Sequence, residues 1–201
     1  LEPARLLETV RSEWKTIVVG TFAPLASFAM FHMVTVYPLS WVFLFTDETP
    51  VRFLMIEAIA AVVGIGAIGA SGILADRIGR RTLLGAPAAA IAAFSGFAPQ
   101  LLDAGEFGEA AFMILGFALL GLSFGQSSGA LSSNFQPRHR YTGSAFTSDL
   151  AWLFGAGFAP MIALWLSSQY GLIAAGGYLL SGAIVTLVAL WLNRELASTI
   201  D

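Results

Sequence analysis

The sequence contains no cysteine. That excludes disulfides, a thiolate nucleophile and any cysteine-bound metal. Charge is scarce as well: 11% of the 201 residues are Asp, Glu, Lys or Arg, where a soluble domain carries about 25%. So few charges cannot cover a water-facing surface. Histidine is nearly missing, and His32 and His139 stand 107 positions apart, so no metal site is expected. The ten Lys and Arg are scattered through separate short segments and the net charge is −3, which gives nucleic acid no basic patch. No Walker loop, His-Glu-x-x-His or Gly-x-Ser-x-Gly occurs. The small residues at 69–72 follow no strand, so they are no dinucleotide fingerprint. The chain shows no machinery of an ATP-driven pump or a membrane enzyme, and no cofactor is expected.

What the chain has is apolar length: 57% of it is hydrophobic. A membrane-spanning helix takes about 20 residues. Six runs qualify, at roughly 16–45, 51–75, 82–102, 110–135, 142–168 and 171–192. The expected fold class is therefore all-α: a polytopic membrane protein whose six helices form an up-and-down bundle in a lipid bilayer. Residues 1–15 mix Arg5, Arg11 and Lys15 with Glu2, Glu8 and Glu13, as an amphipathic lead-in on the membrane surface or a solvated linker helix would. Residues 193–201 form a tail. The first residue is Leu rather than Met, which suggests an engineered or processed product or a piece of a longer chain.

Orientation follows from the cations. With the N-terminus in the cytoplasm, nine of the ten fall on that side: Arg5, Arg11, Lys15, Arg77, Arg80, Arg81, Arg138, Arg140 and Arg194. Only Arg52 falls outside, among Asp47, Glu48, Asp103, Glu106 and Glu109. The positive-inside bias then puts both termini in the cytoplasm of a cell's inner (plasma) membrane.

Polar groups inside the spans are the candidates for function. The first span carries His32 near its middle and Tyr37 five residues on. Pro24 and Pro38 should bend or unwind this helix, and broken helices line cavities in transporters. Glu57, in the second span, is either a proton or gate carboxylate or a side chain that reaches the interface. Gly121, Gly125 and Gly129 in the fourth span, with Ser133, make a smooth packing stripe. Gln126, on the same helix, is a polar ligand candidate or an interhelical hydrogen-bonding group. In the fifth span Ala151, Gly155, Ala159 and Ala163 make a second stripe. Asp149 lies about two turns inside the membrane, where a charge must be paired, protonated or hydrated. It is a proton-coupling or gate carboxylate, or a structural partner for Arg138 or Arg140. Trp152 lies one turn from it. The third span holds no ionisable group and reads as lipid-facing or packing, and the sixth contains no charge.

Residues 72–84, G-I-L-A-D-R-I-G-R-R-T-L-L, form a polar island between two apolar runs, too short for anything but a tight turn. Gly79 frees the backbone there, and Asp76 can reach the positive end of a helix. The pattern of Gly72, Asp76, Arg77, Gly79, Arg80, Arg81 and Leu84 resembles the loop signature of the major facilitator superfamily. A second stretch, Phe135 to Gly143, is similar to the loop after the fourth helix in that superfamily's metabolite:proton symporter branch. Phe135, Arg138, Arg140, Tyr141, Thr142 and Gly143 match; Gln136, Pro137 and Ser133 depart from it.

The resemblance covers the whole chain as the second six-helix half of such a transporter. It implies a loop, Gly72 to Arg81 with Arg138 and Arg140, that latches a cytoplasmic gate. It also implies a missing N-terminal half and proton-coupled alternating access for a small polar metabolite, an organic acid or a zwitterion. His32, Tyr37, Gln126 and Trp152 would line the substrate cavity, with Asp149 and Glu57 as proton-coupling candidates. The reading from another class is a self-contained six-helix protein. It would act as a homodimeric half-transporter, with a second copy as partner, or as a non-transporting interaction protein.

Overall fold

The computed structural model describes residues 5–47, 49–133 and 135–192, with the backbone alone for residues 128–133. Among the described residues every regular element is helical. The first apolar run becomes three helices, α1 (Leu6–Phe22), α2 (Leu25–Thr35) and α3 (Tyr37–Phe45). They are followed by α4 (Pro50–Ile78), α5 (Arg80–Ser95), α6 (Ala98–Leu101) and α7 (Gly105–Ser133). Next come α8 (Arg140–Trp152), a π-helical turn (Leu153–Gly157), α9 (Ala159–Tyr170) and α10 (Leu172–Leu192).

Five stretches are long and apolar enough to cross a membrane: Leu6–Phe45, Pro50–Ile78, Gly105–Ser127, Arg140–Tyr170 and Leu172–Leu192. The chain is thus an all-α, multi-pass membrane protein. The expected third span, 82–102, corrects the count of continuous helices. It breaks after Ser95, where Gly96 and Phe97 leave the helix, and resumes for four residues at Ala98–Leu101. Proline accounts for the restart: Pro99 sits in the first turn of α6, where its missing N–H costs nothing. Pro87, inside α5, is tolerated because the helix is packed there, with Leu83, Leu84, Ala88, Ile91 and Phe94 all buried.

The breaks in the first run fall at Pro24 and at Val36, just before Pro38. A continuous helix would pair the Ala26 N–H with the Phe22 carbonyl. Here the Thr186 hydroxyl of α10 stands between them. It accepts from Ala26 N at 2.8 Å and donates to Phe22 O at 3.4 Å. In lipid both groups would otherwise go unpaired at a cost of several kcal/mol each. A second residue of α10 does the same for the π-helical turn: the Tyr178 hydroxyl donates to the Gly155 carbonyl at 3.2 Å. At the second break, the buried Tyr37 hydroxyl meets Ser167 Oγ of α9 at 2.7 Å.

Small residues set the close approaches. A Cβ on Gly121 of α7 would lie 2.5 Å from the Gly64 carbonyl of α4, and one on Gly125 would meet the Ser71 hydroxyl. α4 and α7 therefore touch almost backbone to backbone, as in other helix pairs that lack a hydrophobic drive. Gly129 and Ser133, the rest of that stripe, lie where side chains are not described. The stripe Ala151, Gly155, Ala159 and Ala163 is buried throughout, with Gly155 against Phe28 and Leu25. Among the described residues, only one side of α4 is engaged. Gly66, Gly69 and Gly72 have open space where a Cβ would go, beside exposed Val62, Ile65 and Ile73.

Candidate functional site

The bend between α1 and α2 and the start of the π-helical turn aim two polar-tipped side chains at each other. His32 of α2 and Trp152 of α8 have ring centroids 6.2 Å apart. Phe31 closes the group, 5.2 Å from each. Phe28 stands edge-on to Trp152 at 4.8 Å, and Phe124 of α7 lies 5.7 Å from Phe28 and 6.1 Å from Trp152. Edge-to-face pairs of this kind contribute about 0.5–1.5 kcal/mol each beyond burial. Phe28 is buried, whereas Phe31, His32, Phe124 and Trp152 keep part of their surface open. The His32 Nδ1 is enclosed and has no hydrogen-bond partner among the described residues. Asp149, one turn before Trp152 on α8, is exposed and makes no ion pair among the described residues. An open aromatic wall with an imidazole and a carboxylate can take a small polar solute.

The other proposed ligands sit elsewhere. Tyr37 is fully buried and its hydroxyl is engaged by Ser167. Gln126 is buried and its amide N donates to Ser71 Oγ at 3.3 Å, an α7–α4 contact. Both are occupied with holding helices together. Glu57 is half-buried on α4.

The two loop elements matched to the family differ in how firmly they are held. α4 continues through Asp76 and Arg77, so the loop shrinks to one residue, Gly79, with φ +83°. A side chain there would be strained, which is why glycine holds the turn. Asp76, Arg77 and Arg80 are exposed. Arg81 turns back and donates to the Leu190 carbonyl in the last turn of α10 at 2.8 Å. A cation at a helix C-terminus is favourably placed.

The second element, residues 135–143, is tied down more fully. The ring of Phe135 is buried and occupies the space a Cβ on Gly143 would need, 2.5 Å away. The Phe and Gly of that stretch are therefore one packing contact. Arg138 pairs with Glu8 of α1 at 3.1 Å, not with Asp149, and Arg140 is exposed. His139 is buried, with Nδ1 3.0 Å from Thr9 Oγ1 and Nε2 3.5 Å from Ser12 Oγ. Sequence reading passed over His139, Thr9 and Thr186, because a lone polar residue carries no spacing signal.

Comparison with known proteins gives the context. The chain is 36% identical over 190 residues to the inner membrane metabolite transport protein YhjE of Escherichia coli. That alignment covers 90% of this chain and 42% of YhjE. Two Haemophilus influenzae proteins named for metabolite transport are 30% and 31% identical, over 96% and 90% of this chain and 46% and 44% of their own lengths. No family model matches the chain, and no solved structure does. The chain is a homologue of bacterial metabolite transport proteins and spans a little under half the length of the relatives it matches.

Proposed function

We propose that the chain is the C-terminal six-helix half of a major-facilitator secondary transporter in the inner membrane. It moves a small polar metabolite, an organic acid or a zwitterion, by proton-coupled alternating access. The observation that carries the reading is the meeting of His32 and Trp152, from two different helices, on a partly open face beside exposed Asp149. A bundle complete in itself would hide such a face. A bundle that shares its cavity with a second bundle needs it.

In this mechanism His32, Trp152 and Phe31 form this half's wall of the solute site. Asp149 carries the coupled proton and loses its charge when it takes one up. Glu57, further along the membrane on α4, is the second carboxylate available to that role. The bare side of α4 docks on the N-terminal half. The exposed Asp76 reaches across to a helix N-terminus of that half and, with Arg77, Arg80 and Arg140, closes the cytoplasmic gate. Both termini face the cytoplasm. Relatives roughly twice as long favour an N-terminal half over a second copy of this chain as the partner.

The test is uptake into cells expressing the native protein, with an imposed pH gradient and with an uncoupler. Metabolite accumulation that collapses with the gradient is expected. Asp149→Asn should remove the pH dependence of uptake and leave the amount of protein in the membrane unchanged. Uptake that ignores the gradient would remove proton coupling. A denatured polypeptide mass near 21.3 kDa, instead of about twice that, would make a second copy the partner.

A further inference from the structure

We infer that the lead-in helix is a hinged clamp on the cytoplasmic loop before α8, with His139 as its bolt. The inference rests on the transporter reading only for its effect on uptake; the clamp itself is a matter of geometry.

Two observations define the hinge. α1 is regular on both sides of Glu13, but Glu13 itself has φ −118° and ψ 23°, outside the helical region. Residues 6–12 are thus a separate rod, joined at Glu13 to the span that follows. Glu13 is buried at the joint, and Thr16 Oγ1 donates to its Oε2 at 2.9 Å.

Three contacts define the clamp, all from the rod and all to two adjacent loop residues. His139 bonds Thr9 with one ring nitrogen and reaches Ser12 with the other, and Arg138 pairs with Glu8. Thr9 is fully buried and His139 nearly so. Parting them would expose two polar groups that now satisfy each other. The outer pair is exposed and contributes little by itself. The bolt is therefore the buried Thr9–His139 bond, and the ion pair guides it. Behind it, Phe135 packed on Gly143 makes the loop stiff, so a pull on the rod is passed to α8. That is the helix that carries Asp149 and Trp152. Any polypeptide that enters at residue 5 can therefore act on the solute face through this clamp. His139 is a positioning residue in this scheme and touches no solute.

The experiment uses the native full-length protein with spin labels at Leu7 and Tyr141, both exposed. Two distance populations are expected, clamped and released. Thr9→Val removes the bond at nearly constant volume and should raise the released population at least three-fold. Thr9→Ser, which keeps a hydroxyl, should restore the original distribution. A distribution that Thr9→Val does not alter overturns the clamp. In parallel, a reversible thiol crosslink between Ser12→Cys and His139→Cys should lower uptake at least ten-fold, with recovery on reduction. Crosslinked protein that transports at the uncrosslinked rate also overturns it. Distances that respond to Thr9→Val in a protein that takes up no solute leave the clamp standing and remove the transporter reading.

Discussion

α4 and α10 are both long, both strongly apolar, and employed in opposite ways. Only 17% of the most apolar stretch of α4 is buried, against 39% in α10. α4 holds the bundle with one narrow strip, Gly64 and Ser71 against α7, and leaves its other side bare. α10 reaches into the bundle with two hydroxyls that repair broken backbone in other helices. α10 serves contacts inside the bundle. α4 leaves one side without a neighbour among the described residues. The difference teaches that apolar length alone does not assign a membrane helix its duty. The positions of its few polar and smallest residues do.

The comparison can be broken at several points. The largest effect is expected at the strip. Gly121→Leu would drive a side chain into the α4 backbone, where even a Cβ has 2.5 Å. Overpacking of about 3 kcal/mol or more should abolish folded protein, read as monodisperse yield in detergent. Gly66→Leu, on the bare side, should fold normally and yet lose uptake, because that side meets the proposed partner half. Normal uptake by Gly66→Leu would show that the bare side meets only lipid.

Thr186→Val comes next. It strands the Ala26 N–H and the Phe22 carbonyl together, at about 1–3 kcal/mol for each, and thermal unfolding in detergent should register the loss. A variant as stable as the parent would mean that the break needs no splint. Asp76→Asn should leave that unfolding temperature untouched, since Asp76 is exposed, and should impair only uptake. A smaller loss of stability than at Thr186 is expected for Tyr37→Phe, which gives up one hydrogen bond to Ser167 and about 1 kcal/mol.

Much of this was legible before any coordinates. Apolar run length gave the membrane class, and the stripe at 151, 155, 159 and 163 lies in the bundle interior. Gly79 turns the chain because only glycine accepts its φ. Trp152 and His32 were named for one cavity, and the bundle brings them together. Tyr37 and Gln126 were named on the same grounds, and both went to packing. A polar group at membrane depth has two ways to be satisfied, and residue type does not choose between them. Helix rotation does, and rotation depends on contacts far along the chain. The same limit hid Thr186, whose partners lie 160 and 164 positions away. The break in the third run is hidden from the sequence for another reason. A run can be apolar enough to cross and still not be one helix, and Gly96 with Phe97 was enough to part it.

Thr186 has a consequence for motion. A helix interrupted by proline is usually a free joint, because nothing spans the gap. Here the gap is spanned by an atom that belongs to a different helix. The joint is therefore a mortise, in which α2 follows α10 more faithfully than it follows α1. A tilt of α1 about this break would part the longer 3.4 Å contact to Phe22 before the 2.8 Å contact to Ala26, so the piece that carries His32 is expected to stay with α10.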